Sequence, residues 1–480
     1  MNFKLLISSI LLLSVLGACS LTRSIALVSN TPDAPTVADV PLTMTPAASA
    51  TETPLPPATT ASPSPTLVAQ IASAAVASLK PITDNVPQLF FLTGDRLMKV
   101  NADGSGKTLL TKNLPAKTTY LRAALSPQGD LLAFRAGGIP SYWGTNWDYY
   151  QPPLLNLFDV QAGTVISTVP IFSTELEQRL RVNDPIMYEA VYAAEQAAVA
   201  IGEDFAWSPD GRYLAFVAAI DGPSSDVYSY DRETGQILRL TDGPHQAAHL
   251  LWSPDSQWIV HEEVEVFGGI DTDSGAQAVW AAAPDGSDNR KLYEVEDDRT
   301  TKLIDWLSPD TLLMRASSLN RLHLRLVDLT TGESQLITPT TEITQIGYDR
   351  VYRWDSDAKR LWTSSAGVVI SLALDGTVKR YLDERELPFE SPNGAWLLFE
   401  CGMGGEIGPK PGLRLYTHDG QLIREIASDL TIRATWSPDS SGVFYGLGST
   451  IYYVSIPDGQ PQVIEETRDS PWEILGWVQP

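Results

Sequence analysis

Five aromatic side chains fall within nine residues: Tyr142, Trp143, Trp147, Tyr149 and Tyr150. Rings this close together could stack on a sugar ring or on the apolar groups of a peptide. The same rings could instead fasten an insertion to the core beneath, and only the first use leaves their faces exposed. Other motifs carry less chemistry. His245 and His249 have a metal-like spacing, with His261-Glu262 nearby. An i, i+4 pair needs a helix to aim both rings at one ion, and this stretch reads as a connection running into a strand, so no metal is expected. Gly104-Ser-Gly-Lys107-Thr108 lacks the glycine a phosphate loop needs where Asn101 stands. Thr108 to Thr111 also reads as a strand, not as the helix whose N-terminus would hold phosphate, so no nucleotide or other cofactor is expected. Asp271 to Gly275 and Glu294 to Asp298 are acidic, yet they lack the glycine spacing and closing glutamate of a calcium loop. No Gly-x-Ser-x-Gly nucleophile elbow occurs.

These motifs sit in a chain of 480 residues that is 43% apolar and 19% charged, enough to build a core and to exclude wholesale disorder. The net charge of −24 repels phosphate backbones, so nucleic acid is not an expected partner. Two cysteines make no disulfide framework. The N-terminus carries Lys4, an apolar run from Leu5 to Val15, then Leu16-Gly17-Ala18-Cys19. The run is too short to span ~30 Å of hydrocarbon and reads as a secretory signal over residues 1–18. Leu-Gly-Ala-Cys resembles the bacterial lipobox, which implies cleavage before Cys19 and a lipid on its thiol. The chain would then be held on the cell membrane, facing the cell surface or the periplasm. Residues 19–86 are rich in Pro, Thr, Ser and Ala and nearly free of charge, the composition of an extended stalk.

From about residue 87 to 480 the sequence repeats. Phe205-Ala-Trp-Ser-Pro-Asp-Gly-Arg-Tyr-Leu-Ala-Phe216 is a strand, a tight turn and a strand. Pro209 sets φ at the second position of the turn, and Asp210 and Gly211 tolerate positive φ. Similar turns begin at Ser126, Ser253, Ser308, Ser391 and Ser437, with a degraded one at Ser356, which makes seven. A second, glycine turn recurs at Gly104, Gly163, Gly235, Gly286, Gly332, Gly376, Gly420 and Gly459, which makes eight. Two hairpins per ~45 residues describe four-stranded antiparallel blades of an all-β propeller. The mismatch is explained if the C-terminal run Ile474 to Pro480 supplies the innermost strand of the first blade. That closure predicts eight blades, with seven as the alternative. Trp-Ser-Pro-Asp-Gly followed by an aromatic and Leu-Ala-Phe resembles the repeats of the TolB-like propeller family, over about four-fifths of the chain. The resemblance implies the fold; members serve as interaction modules, as peptidase lids and as parts of unrelated enzymes.

In such a blade the Ser-Pro and glycine turns share one face. The longer connections share the other, here the insertion face. The aromatic run lies in one of them, from Gly138 to Pro152. A helical insertion is expected at 173–203, with Thr174-x-x-Glu177 as a capping box and Asp184-Pro185 opening a second helix. Glycine-rich loops from Gly268 to Gly275 and Cys401 to Gly412 lie on the same face. The expected function is a membrane-anchored binding module for a protein, peptide or glycan. The alternative is a propeller enzyme acting on carbohydrate or peptide, with carboxylates paired at the channel.

Overall fold

The computed structural model describes residues 66–70 and most of 86–478. The segments 71–85, 112–122, 137–153, 175–204, 265–275, 344–351 and 402–410, with some shorter breaks, lie outside the described residues. Eight antiparallel sheets form the ring, numbered here as blades 1 to 8 in chain order. Blade 3 shows the pattern, from the channel outward: Phe205–Trp207, Tyr213–Ala218, Asp226–Asp231 and Gln236–Arg239. Blade 1 closes the ring as the two turn counts require. Trp472–Val478 pairs antiparallel with Gln88–Thr93, Gln88 facing Val478, and Arg96–Asn101 and Thr108–Thr111 lie further out. Eight blades are therefore observed, and the four residues after Lys107 form a strand. Lys107 itself holds Glu465 at 2.7 Å.

Hydrogen bonds explain why Ser-Pro-Asp recurs. Ser208 Oγ donates to Asp210 at 2.6 Å and accepts the Tyr213 N–H at 2.9 Å, so one hydroxyl staples both ends of the turn. Ser253 and Ser437 do the same with Asp255 and Asp439. The tryptophan just before the serine reaches backwards. The indole N–H of Trp207 donates to the carbonyl of Ala124, that of Trp252 to Ala206, and that of Trp436 to Phe389, at 3.1, 2.9 and 3.1 Å. Each acceptor lies on the innermost strand of the preceding blade. The residue that ends one blade's first strand thus ties it to its neighbour, and a buried indole N–H finds its acceptor.

The core is divided the same way. Its eight apolar clusters each lie between one pair of consecutive blades. The cluster that joins blade 8 to blade 1 sets Phe444, Ile451 and Tyr453 against Leu89, Phe91, Met98 and Val100. Second and third strands are buried on both faces, because every sheet is sandwiched between two others. Within the segment read as a stalk, Thr66–Gln70 forms a fifth strand on blade 3, antiparallel to its outermost strand, with Thr66 facing Arg239 and Gln70 facing Gln236. The expected helical insertion at 173–203 lies almost wholly outside the described residues.

Candidate functional site

The innermost strands line the channel, and four of them are interrupted at one repeat position. In blade 4 (Gln246–Trp252) the pairing skips between Ala248 and Leu251. In blade 5 (Arg299–Ser308) it skips between Leu303 and Asp305, and in blade 8 (Thr431–Trp436) between Ile432 and Thr435. The closing strand of blade 1 skips between Ile474 and Gly476. Each skip is a β-bulge, which bends the strand and re-aims a side chain. His249, Ile304 and Arg433 each stand four residues before the serine of their turn. His249 and Arg433 adopt φ of 55° and 53°, a left-handed conformation that costs a residue with a Cβ on the order of 1–2 kcal/mol. Both are exposed, His249 to 55%.

Two carboxylates, buried Glu262 and half-buried Glu400, support these bulges. Glu262, only 2% exposed, accepts the Leu303 N–H of blade 5 at 2.6 Å, and its other oxygen lies 2.9 Å from His249 Nδ1. Glu400 of blade 7 accepts the Ala434 N–H of blade 8 at 3.3 Å. Each carboxylate thus takes an N–H beside a bulge, where the regular ladder is broken. Glu262 and Glu400 stand nine residues after the serines of their turns, as does buried Arg135 in blade 2. A charge interrupting an otherwise apolar second strand was the sequence signal for this layer.

Two further buried carboxyl groups differ sharply. On the insertion face of blade 3, Asp226 accepts from Arg239 at 2.6 Å, Thr241 at 2.9 Å, Ser224 at 3.1 Å and the Gly243 N–H at 3.3 Å. Burial pushes its carboxyl up, against the pull of Arg239. Arg239 also reaches Asp242 at 2.8 Å and Asp221 at 3.4 Å, and Asp221 takes the hydroxyl of Tyr228. At the turn-face end of the seam between blades 6 and 7, Glu390 is as deeply buried but has fewer donors. Arg360 Nε stands 3.5 Å from Oε2 and His418 Nδ1 stands 3.1 Å from Oε1. Oε2 has no hydrogen-bond donor among the described residues. Burial pushes the Glu390 carboxyl up to about 7, opposed by Arg360 and reinforced by the negative charge of Asp355. His418 is held below its ordinary value, first by burial and then by Arg360 and Lys379.

Tyr142, Trp143, Trp147, Tyr149 and Tyr150 lie outside the described residues, as do Cys19 and the loop from Gly268 to Gly275. The two histidines of metal-like spacing go to different partners. His249 faces Glu262, while His245 Nε2 lies 3.8 Å from Glu263. Among the described residues no group of three or more His, Cys, Asp or Glu side chains is arranged to hold a metal ion. The Glu390 cluster had no local sequence signal, since Asp355, Arg360, Glu390 and His418 come from four strands and turns spread over two blades.

No family model matches the chain. A 54-residue stretch, 11% of this chain and 8% of the relative, is 43% identical to the uncharacterized peptidase YuxL of Bacillus subtilis (strain 168). Among solved structures, dihydro-heme d1 dehydrogenase NirN in complex with DHE aligns with a TM-score of 0.52 at 12% identity, over 86% of this chain and 80% of that one. Porphyromonas gingivalis dipeptidyl peptidase 4 aligns with a TM-score of 0.52 at 10% identity, over 78% of this chain and 57% of that one. TolB from Acinetobacter baumannii is also a neighbour, with a TM-score of 0.32 at 14% identity, over 61% of this chain and 62% of that one. At such identities a structural likeness speaks for the fold alone. The chain is an eight-bladed β-propeller.

Proposed function

We propose that the protein is a lipid-anchored, extracytoplasmic binding module that recognises a protein, peptide or glycan on its insertion face. Cys19 carries the lipid, and Tyr142, Trp143, Trp147, Tyr149 and Tyr150 supply the contact surface. The observation that carries this reading is the use made of the inward-facing carboxylates among the described residues. Glu262 and Glu400 are committed to backbone N–H groups, and Asp226 is saturated by four donors. Carboxylates committed in this way are poor general acids or bases, whose task requires a proton exchanged with substrate. Among the described residues the carboxyl that burial pushes up to about 7, Glu390 beside Asp355, sits at the opposite, turn-face end with its own side chain almost sealed from solvent.

Pull-down of the full chain from native membranes tests the reading. A partner retained by the wild type and lost with Trp143→Ala or Trp147→Ala supports it, at ~2 kcal/mol or more of affinity for a hot-spot ring. Cys19→Ala tests the anchor. The variant is expected to leave the membrane fraction or to keep its unprocessed mass, and unchanged detergent-dependent partitioning would argue against a lipid there.

A peptidase-like enzyme is the second reading, favoured by the 43% identity to YuxL over 54 residues and by the alignment to dipeptidyl peptidase 4. Hydrolysis of fluorogenic peptides by the purified full chain, abolished by Glu390→Gln, would overturn the binding-module reading in its favour.

A further inference from the structure

The ring order places blades 4 and 8 opposite one another, and these two carry the left-handed bulges at His249 and Arg433. The two residues use their strain differently. The His249 ring is fixed against a buried carboxylate. Arg433 is exposed on an innermost strand, and among the described residues no hydrogen bond, ion pair or ring contact engages its guanidinium. An arginine that only filled space would not need a backbone this costly. Glycine would satisfy φ of 53° without penalty, and a regular ladder would remove the bulge altogether. The neighbouring bulges of blades 5 and 1 carry Ile304 and Leu475. Ile304 packs into the apolar cluster between blades 5 and 6 and Leu475 into that between blades 1 and 2, so among these four bulges only those of blades 4 and 8 carry an exposed polar side chain. In a chain of net charge −24, a guanidinium that no described residue engages, exposed on a strained backbone, is placed to meet an anionic group.

We propose that Arg433 is a ligand contact in the channel, taking an anionic group, a carboxylate or a phosphate, on a molecule that enters from the insertion face. The planar fork of the guanidinium suits bidentate capture of either oxyanion. This deepens the binding-module reading by naming the chemistry the channel accepts. It rests on that reading only for the face of access, so it can stand if no protein or glycan partner is captured.

Isothermal titration of the full chain, purified in detergent, with citrate and separately with inorganic phosphate tests it. Citrate stands for carboxylate ligands and phosphate for phosphorylated ones, so the tighter of the two names the source. The wild type is expected to bind at least one of them. Arg433→Gly is expected to weaken that binding at least tenfold while raising Tm, because glycine relieves the left-handed strain. Arg433→Lys keeps the charge without the fork and is expected to lie between them. Three results would overturn the proposal. They are no binding of either anion by the wild type, equal binding by Arg433→Gly, or a fall in Tm for Arg433→Gly, which would make the arginine a structural strut.

Discussion

Asp226 and Glu390 are both about 2% exposed, yet one is a clamp and the other a titrating group. The difference lies in donors, not in depth. Asp226 begins the third strand of blade 3, where the outer strand supplies Arg239 and the next connection supplies Thr241 and the Gly243 N–H. Leu240-Thr241-Asp242-Gly243 is thus a piece of repeat sequence that brings two of these donors to one carboxylate. Glu390 ends the two-residue innermost strand of blade 7 and faces the degraded turn of blade 6, where Asp355 adds a second negative charge. Burial costs the charged form of both groups. Burial raises both carboxyls, but Asp226 is compensated by a full set of hydrogen bonds, while Glu390, with fewer donors, is pushed up to about 7.

The largest test of this seam-by-seam view removes a seam partner. Deleting residues 472–480 strips blade 1 of its innermost strand, opens two sheet edges and exposes the cluster around Phe444 and Phe91. Soluble expression should be lost, whatever the state of the Asp226 and Glu390 clusters. A truncated protein with unchanged Tm would mean that closure is ornamental.

Asp226→Ala should come next. It leaves Arg239, 12% exposed, without its principal partner, at a cost of about 3–5 kcal/mol in urea unfolding. A loss below ~1 kcal/mol would erase the contrast with Glu390.

Glu390→Gln should act in the opposite direction. The folded protein holds the Glu390 proton more tightly than the unfolded chain does, about 7 against 4.5. The stability this proton contributes is complete below about pH 4.5 and is lost as pH rises through about 7. Glutamine keeps the neutral form throughout, so at pH 8 the variant should be more stable by about 1–3 kcal/mol, with no gain near pH 4. His418 contributes with the other sign. Its lowered value gives stability that is present above 6.5 and lost as pH falls below it, and that limb should persist in the glutamine variant. Equal unfolding free energies for wild type and Glu390→Gln at pH 8 would show that donors reach Glu390 after all.

The smallest expected effect lies on the turn face. Ser256, at φ of 62°, occupies the place that Gly211 fills in blade 3, and its hydroxyl accepts the Asp210 N–H at 3.0 Å. Ser440 does the same for Asn393. Ser256→Ala loses the bond and keeps the strain, costing about 1–2 kcal/mol. Ser256→Gly loses the bond and sheds the strain, leaving a net change within about 0.5 kcal/mol. Guanidinium melts of the two variants would separate these outcomes.

The blades were legible because their signals are local. Trp207-Ser208-Pro209-Asp210 encodes a turn, its staple and its tie to the preceding blade within four residues. Closure was legible because the run ending in Trp477-Val478 resembles the other innermost strands. The bulges were not, because one extra residue in a short strand leaves an apolar alternation that fits either register. His249 drew notice for its spacing from His245, a relation the bulge makes irrelevant. The Glu390 cluster is a product of two blades meeting, and its members are uninformative until the ring exists. The aromatic run was conspicuous by composition alone, which gives a reason for its chemistry but no geometry.

The fifth strand on blade 3 has a mechanical consequence. A pull on the chain ahead of Thr66 does not arrive first at Gln88, where the ring closes. It arrives at the short ladder between Thr66–Gln70 and Gln236–Arg239, on the outer rim two blades away. The two ladders stand in series along the chain, and the outer one is held from one side only. Under load the outer ladder is the one placed to peel first. Only then does tension reach the strand paired with Trp472–Val478. Thr66–Gln70 is in this sense a fuse: it yields so that the closing blade does not.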